Sequence, residues 1–170
     1  SHFILRTADF DQRHRVAEFE SMAATVCKLA IEPGDTAYAS STSIAVLPGA
    51  VIADTVHSAC KTRRTALLAA ETGDNILLHV PLTGGFTIRQ ERGAEVTCQP
   101  GQIYLDPSEV PGIAHFVPES SRVLYVSVPR AALLAASPGM NPALRQVSDA
   151  TPQWRLLIIG ANSVIIKRHV

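Results

Sequence analysis

A mainly β protein, folded as a small antiparallel barrel or sandwich, is what this sequence of 170 residues predicts, and three observations carry it. First, FTIRQ alternates, with Phe86, Ile88 and Gln90 on one face and Thr87, Arg89 and Glu91 on the other. Second, after Glu91-Arg92-Gly93 the alternation resumes, with Ala94, Val96 and Cys98 as the apolar set. Two such runs joined by a short Gly-containing turn read as a hairpin. Third, ILLHVPL is apolar at nearly every position, the pattern of a strand buried on both faces. Several short strands in close succession argue for closure into a barrel or a sandwich.

The other elements follow in order. Residues 9–29 place Val16, Phe19, Ala23, Val26 and Cys27 on one face of a helix, with Asp9 or Asp11 available as N-cap and Glu32-Pro33-Gly34-Asp35 as its stop. Strands are expected from Ala37 to Ala70, turning at Leu47-Pro48-Gly49 and running from Val51 to Cys60. Ser40 to Ser43 read as a polar loop or edge. Thr72-Gly73-Asp74-Asn75 is a turn before the buried strand, and Pro100-Gly101 leads into a further apolar strand. Ile113 to Val117 and Arg122 to Val128 complete the strands. Pro129 opens a short helix, RAALLAA. Pro142 to Val170 is expected to be helical, with Leu157, Ala161, Val164 and Ile165 at helical spacing.

Composition narrows the function. Apolar residues make up 46% and charged residues 18%, which excludes a disordered chain. Basic and acidic residues both number 15, so the basic excess of a module that binds nucleic acid on its own is missing. No apolar run has the length of a membrane span and no signal peptide precedes the first helix. Cys27, Cys60 and Cys98 are odd in number, lie in apolar contexts and lack metal-ligand spacing. A reduced, cytoplasmic protein is the expectation.

A barrel with a Pro-Gly turn resembles the cupins, whose enzymes gather His-x-His, a Glu and a further His on one face to hold a metal. Here the corresponding strand offers only His79, and Ile103 and Tyr104 stand where the later histidine would fall. His115 lies one strand further on without a matching carboxylate. The chain also lacks Gly-x-Ser-x-Gly, Cys-x-x-Cys, a phosphate loop and His-Glu-x-x-His. Asp54 and His57, three positions apart on a strand, point to opposite faces. No catalytic residue, metal or cofactor is therefore expected.

The order of parts resembles the N-terminal cupin-like regulatory domain of AraC-type transcriptional regulators. The amphipathic helix, the Arg63-Arg64-Thr65 strand entry, the core NILLHVPLTGGFTIRQERGAEVTCQPGQIYLDPS and the Val128-Pro129-Arg130 step carry the resemblance, over about residues 10 to 136. It implies a regulatory barrel over residues 1–136, a helical linker or dimerisation segment over 137–170, and a DNA-binding helix-turn-helix domain that lies outside this chain. It also implies a small-molecule effector and a homodimer. Two other readings stay open: a metal-dependent cupin enzyme such as a dioxygenase or isomerase, and a dimerisation module without effector.

A receptor would hold its ligand in a mostly apolar cavity with a few polar groups. By strand parity Phe86, Ile88 and Gln90 face inward, and His79, Tyr104, His115 and Tyr125 are the other candidates. Arg63 and Arg64 point to opposite sides of their strand, so one guanidinium, taken as Arg64, is available to a carboxylate. Leu157, Ala161, Val164 and Ile165 form either a two-fold contact or a face packed on the barrel. Trp154 is expected to pin the last helix to the barrel.

Overall fold

The run around ILLHVPL explains the architecture, because a strand apolar on both sides must be covered on both sides. In the computed structural model, which describes residues 1–90, 93–136 and 144–150, it is the central strand β6, Asn75–Thr83. Leu77 and His79 face the space between two sheets, and Ile76, Leu78 and Val80 belong to a second apolar cluster on the outer side. That outer cluster is overlaid by Leu133, Leu144 and Ala150.

Two antiparallel sheets make up the described residues. The larger runs β1-β3-β4-β11-β6-β9-β12 and the smaller β2-β5-β10-β7-β8. The strands are β1 (His2–Arg6), β2 (Ala30–Pro33), β3 (Ser40–Leu47), β4 (Ala50–His57), β5 (Cys60–Arg64), β7 (Phe86–Gln90) and β8 (Glu95–Cys98). They continue with β9 (Gln102–Pro107), β10 (Gly112–Phe116), β11 (Ser121–Pro129) and β12 (Val147–Asp149). From β4 to β11 the chain alternates between sheets, except for the β7–β8 hairpin, and β12 returns to the larger sheet that also holds β11. Glycine marks two of the turns for a steric reason. Gly49 has φ 77°, the sign that the third residue of a Pro-Gly turn needs, and it closes β3 onto β4. Gly84, at φ 75°, carries the chain from one sheet to the other so close to Ser121 that a Cβ would lie 2.6 Å from its Oγ.

Helix α1, Arg15–Ala23, buries Phe19 against the sheets, while α2 (Ala66–Ala70) and α3 (Arg130–Ala136) are short. The Thr65 hydroxyl caps α2 by accepting from the Leu68 amide at 3.2 Å.

Several expectations are corrected. The chain starts with a strand, and the helix expected over 9–29 is confined to 15–23. Asp11 accepts from the Arg13 amide in a turn ahead of the helix, and the cap position is His14, whose side chain makes no capping bond. A short sequence window shows the helix face but not that residues ahead of it form a 3-10 turn at Thr7–Asp9 and a further turn before His14. Val51 to Cys60 is two strands, because the chain changes sheets at Ser58-Ala59. Ser40 to Ser43 lie inside β3, where alternate hydroxyls face the core, and are not a loop. Residues 147–149, expected to be helical, pair with β9, so the sheet extends beyond residue 136. Trp154, Leu157, Ala161, Val164 and Ile165 lie outside the described residues.

Candidate functional site

Strand register decides which side chains meet between the sheets. Across the larger sheet one row reads Ile44, Ala53, Tyr125, His79, Tyr104 and Val147, and Asp106 sits one pleat away, opposite Leu77. Across the smaller sheet the facing row is Arg64, Gly112 and Gln90.

These rows converge on Asp106, which is fully buried. Arg64 donates from Nη2 to Asp106 Oδ2 and from Nη1 to the Pro107 carbonyl at 3.3 Å. His79 donates from Nε2 to Asp106 Oδ2 at 3.0 Å, and Gln90 donates from Nε2 to Oδ1 at 2.6 Å. Arg64 and Gln90 belong to the smaller sheet, Asp106 and His79 to the larger, so the cluster is a polar clamp between the sheets. Burial pulls the Arg64 pKa down, but the neighbouring groups, Asp106 first among them, more than offset this and leave it raised, so the guanidinium stays charged. The clamp is not saturated: Arg64 Nε, His79 Nδ1 and Gln90 Oε1 are buried without a partner.

Next to the clamp lies a cavity of about 90 Å³. Arg64, His79 and Asp106 wall one part of it, and Ile44, Ile88, Ala114 and Tyr125 supply apolar surface. Phe19 and Ala23 of α1, with Val26 and Cys27 just beyond it, close the cavity from the side of the first helix. At the other end of β5, His57 stacks edge-on against Phe116, ring centroids 4.6 Å apart, and the Cys60 thiol lies 3.7 Å from His57 Nδ1. Burial lowers the His57 pKa from its ordinary value, while the bond from Nδ1 to the Ser58 carbonyl at 2.8 Å acts the other way. Burial pushes the Cys27 thiol up to about 11 and that of Cys60 up to about 12, so neither is a ready nucleophile. Desolvation also holds the Tyr125 phenol well above its ordinary range.

Of the residues singled out from sequence, Arg64, His79, Ile88 and Tyr125 line the cavity. Gln90 is buried behind them and faces an outer cleft with Arg63, Arg64 and Arg89. Phe86 and Tyr104 are buried and pack on His79, at 5.4 and 5.8 Å between rings, without reaching the cavity. His115 is exposed on the outer face of the smaller sheet, because its strand neighbours Ala114 and Phe116 take the inner face. Arg63 also points outward and pairs with Glu32 at 2.9 Å. Asp54 and His57 do face opposite ways, Asp54 pairing with Arg122 on the outside. Asp106 was missed. Its signal was a single carboxylate inside the apolar run IYLDP, a position where an unpaired charge is not tolerated. Among the described residues no three His, Cys, Asp or Glu side chains come together as a metal would need, and no helix is long and apolar enough to cross a membrane.

Neither a family model nor a curated protein matches the sequence. Solved structures do. The AraC-like transcriptional activator CuxR matches with a TM-score of 0.75 and 14% identity, over 96% of this chain and 60% of CuxR. The chain thus spans about three fifths of that activator's length. KdgF from Halomonas sp. matches at TM-score 0.44 and 15% identity, over 59% of this chain and 87% of KdgF. Ectoine synthase from P. lautus matches at 0.43 and 14%, over 62% and 76%. The last two are partial likenesses on which nothing further rests. This chain is a cupin-like β-barrel, and it shares its fold with an AraC-like transcriptional activator.

Proposed function

We propose that this chain is the sensing domain of a transcription regulator, and that the cavity between the sheets is its effector site. The observation that carries the reading is the cavity itself, a largely apolar space between the sheets ending on a buried, incompletely satisfied polar clamp. Likeness in fold to an AraC-like activator supports the regulatory part. In this reading Arg64, His79, Ile88 and Tyr125 contact the effector, and Phe86, Gln90 and Tyr104 hold them in place. An effector that binds one spacing of the sheets better than another shifts the population toward it. The clamp supplies the link, since its members come from both sheets. Dimerisation and control of a DNA-binding domain elsewhere in a longer protein complete the proposal.

A metal-dependent reaction is disfavoured by the clamp's charge. The guanidinium of Arg64 occupies the carboxylate that a metal at His79 would require. The test joins the chain to a helix-turn-helix DNA-binding domain and measures reporter transcription against a metabolite library, with thermal shift in parallel. An effector at 100 times its Kd should stabilise the chain by about 2.7 kcal/mol and raise Tm by about 5–11 °C. Compounds that shift Tm without changing transcription would sink the regulatory part. A library without a single Tm shift would sink the sensing part.

A further inference from the structure

We infer that the cavity takes a small uncharged molecule, or part of one, that carries a hydroxyl or carbonyl group and is smaller than a benzene ring. This rests on the sensing reading above and deepens it. Three features set the class.

Size comes first. A dry cavity of about 150 Å³ admits benzene, whereas this one measures about 90 Å³. The part of the occupant seated there is a short, branched or cyclic group of fewer atoms than a benzene ring.

Charge comes second. Among the cavity-lining residues the ionic pair is one guanidinium and one carboxylate, already joined. The single charge of Asp106 is already answered by Arg64, with His79 and Gln90 also bonded to it, so an incoming ammonium finds no uncompensated anion. An incoming carboxylate would share Arg64 with Asp106 and bring two anions together beside buried side chains, where a charge without its own partner is costly. A neutral molecule disturbs neither.

Hydrogen bonding comes third. Arg64 Nε, His79 Nδ1 and Thr42 Oγ1 are buried without partners, on cavity-lining residues that are 7%, 6% and 3% exposed. Arg64 Nε can only donate. His79, whose Nε2 hydrogen serves Asp106, can only accept at Nδ1 when neutral, and a threonine hydroxyl does either. A ligand hydroxyl carries both a hydrogen and lone pairs, so it suits an acceptor such as His79 Nδ1 and a donor such as Arg64 Nε, while a carbonyl suits a donor. Left unmet, such groups cost more than a typical bond returns.

The experiment compares isobutanol, isobutyrate and isobutylammonium, which share one branched frame and differ in charge, by ligand-observed NMR on the 170-residue chain. Isobutanol should bind at least roughly 10-fold more tightly than either ion, the factor for about 1.4 kcal/mol of charge burial. Filling the cavity by Ala114→Leu should abolish the isobutanol signal. Should that variant fail to fold, the smaller change Ala53→Val is read instead, since Ala53 also lines the cavity and is 1% exposed. Equal or tighter binding of either ion would overturn the neutral class and leave the sensing reading intact. Isobutanol binding that survives both substitutions would place the ligand elsewhere and overturn the inference. Absence of binding by all three, with no Tm shift from the metabolite library, would leave the cavity to water and overturn both.

Discussion

Replacing Asp106 by Asn removes one charge and almost no volume from a side chain with no solvent exposure. Arg64 then stays buried, 7% exposed, without its counter-charge, and His79 and Gln90 face an amide that accepts through one oxygen instead of two. Breaking one partner of a buried pair costs about 3–5 kcal/mol. That is a large part of the ~5–15 kcal/mol that stabilises a typical domain. For a chain of this length it corresponds to a fall in Tm of about 6–20 °C. Urea unfolding followed by tryptophan or far-UV signal measures it, with the m-value as a check on two-state behaviour. The double change Arg64→Met with Asp106→Leu should recover most of the loss, since an apolar pair of similar volume avoids both desolvation costs. Asp54→Asn is the control. Its partner Arg122 is 45% exposed on the outer face, and the loss there should stay within about 1 kcal/mol. If Asp106→Asn costs no more than Asp54→Asn, the clamp does not hold the sheets together and the reasoning fails.

Two further outcomes follow from buried titratable groups. His57 is held below its ordinary value of 6.5 by burial. The unfolded chain therefore binds more protons as pH falls through that value, and this contribution to stability is lost from about 6.5 downward to the folded pKa. His57→Gln should flatten the stability-against-pH curve in that window, and parallel curves for the two proteins would show the histidine to be irrelevant. Cys27, Cys60 and Cys98 have thiols pushed up to about 11, 12 and 12 by desolvation. An aromatic disulfide reagent at neutral pH should leave all three untouched in the native protein and modify all three after unfolding. Rapid reaction of a native thiol would contradict that burial.

Local chemistry made part of this protein readable. The inward set of β7, Phe86, Ile88 and Gln90, followed from period-two alternation, because successive side chains on a strand leave opposite faces whatever the partner strand is. The double-sided burial of β6 and the turn at Pro48-Gly49 were legible for the same reason: each depends on a few adjacent residues. His115 shows where parity without register stops. Its strand was found, but the pattern I-A-H-F has apolar residues on both faces, and the pairing of β10 between β5 and β7 is what turns Ala114 and Phe116 inward.

Asp106 marks the other boundary. A carboxylate in an apolar strand announces that a partner exists, yet nothing near it in sequence says which. Arg64, His79 and Gln90 lie 42, 27 and 16 residues away, and they meet it only because the chain alternates between sheets. Sequence alone thus settled the strand-rich class, the neutral charge and the inner face of β7, since these follow from short-range sterics and composition. Tertiary structure decided which candidates converge, which one faces water and that Arg64 answers an internal carboxylate. Closing the space between two sheets brings distant residues together, and the cost of burying their charges unpaired selects the clamp that is seen.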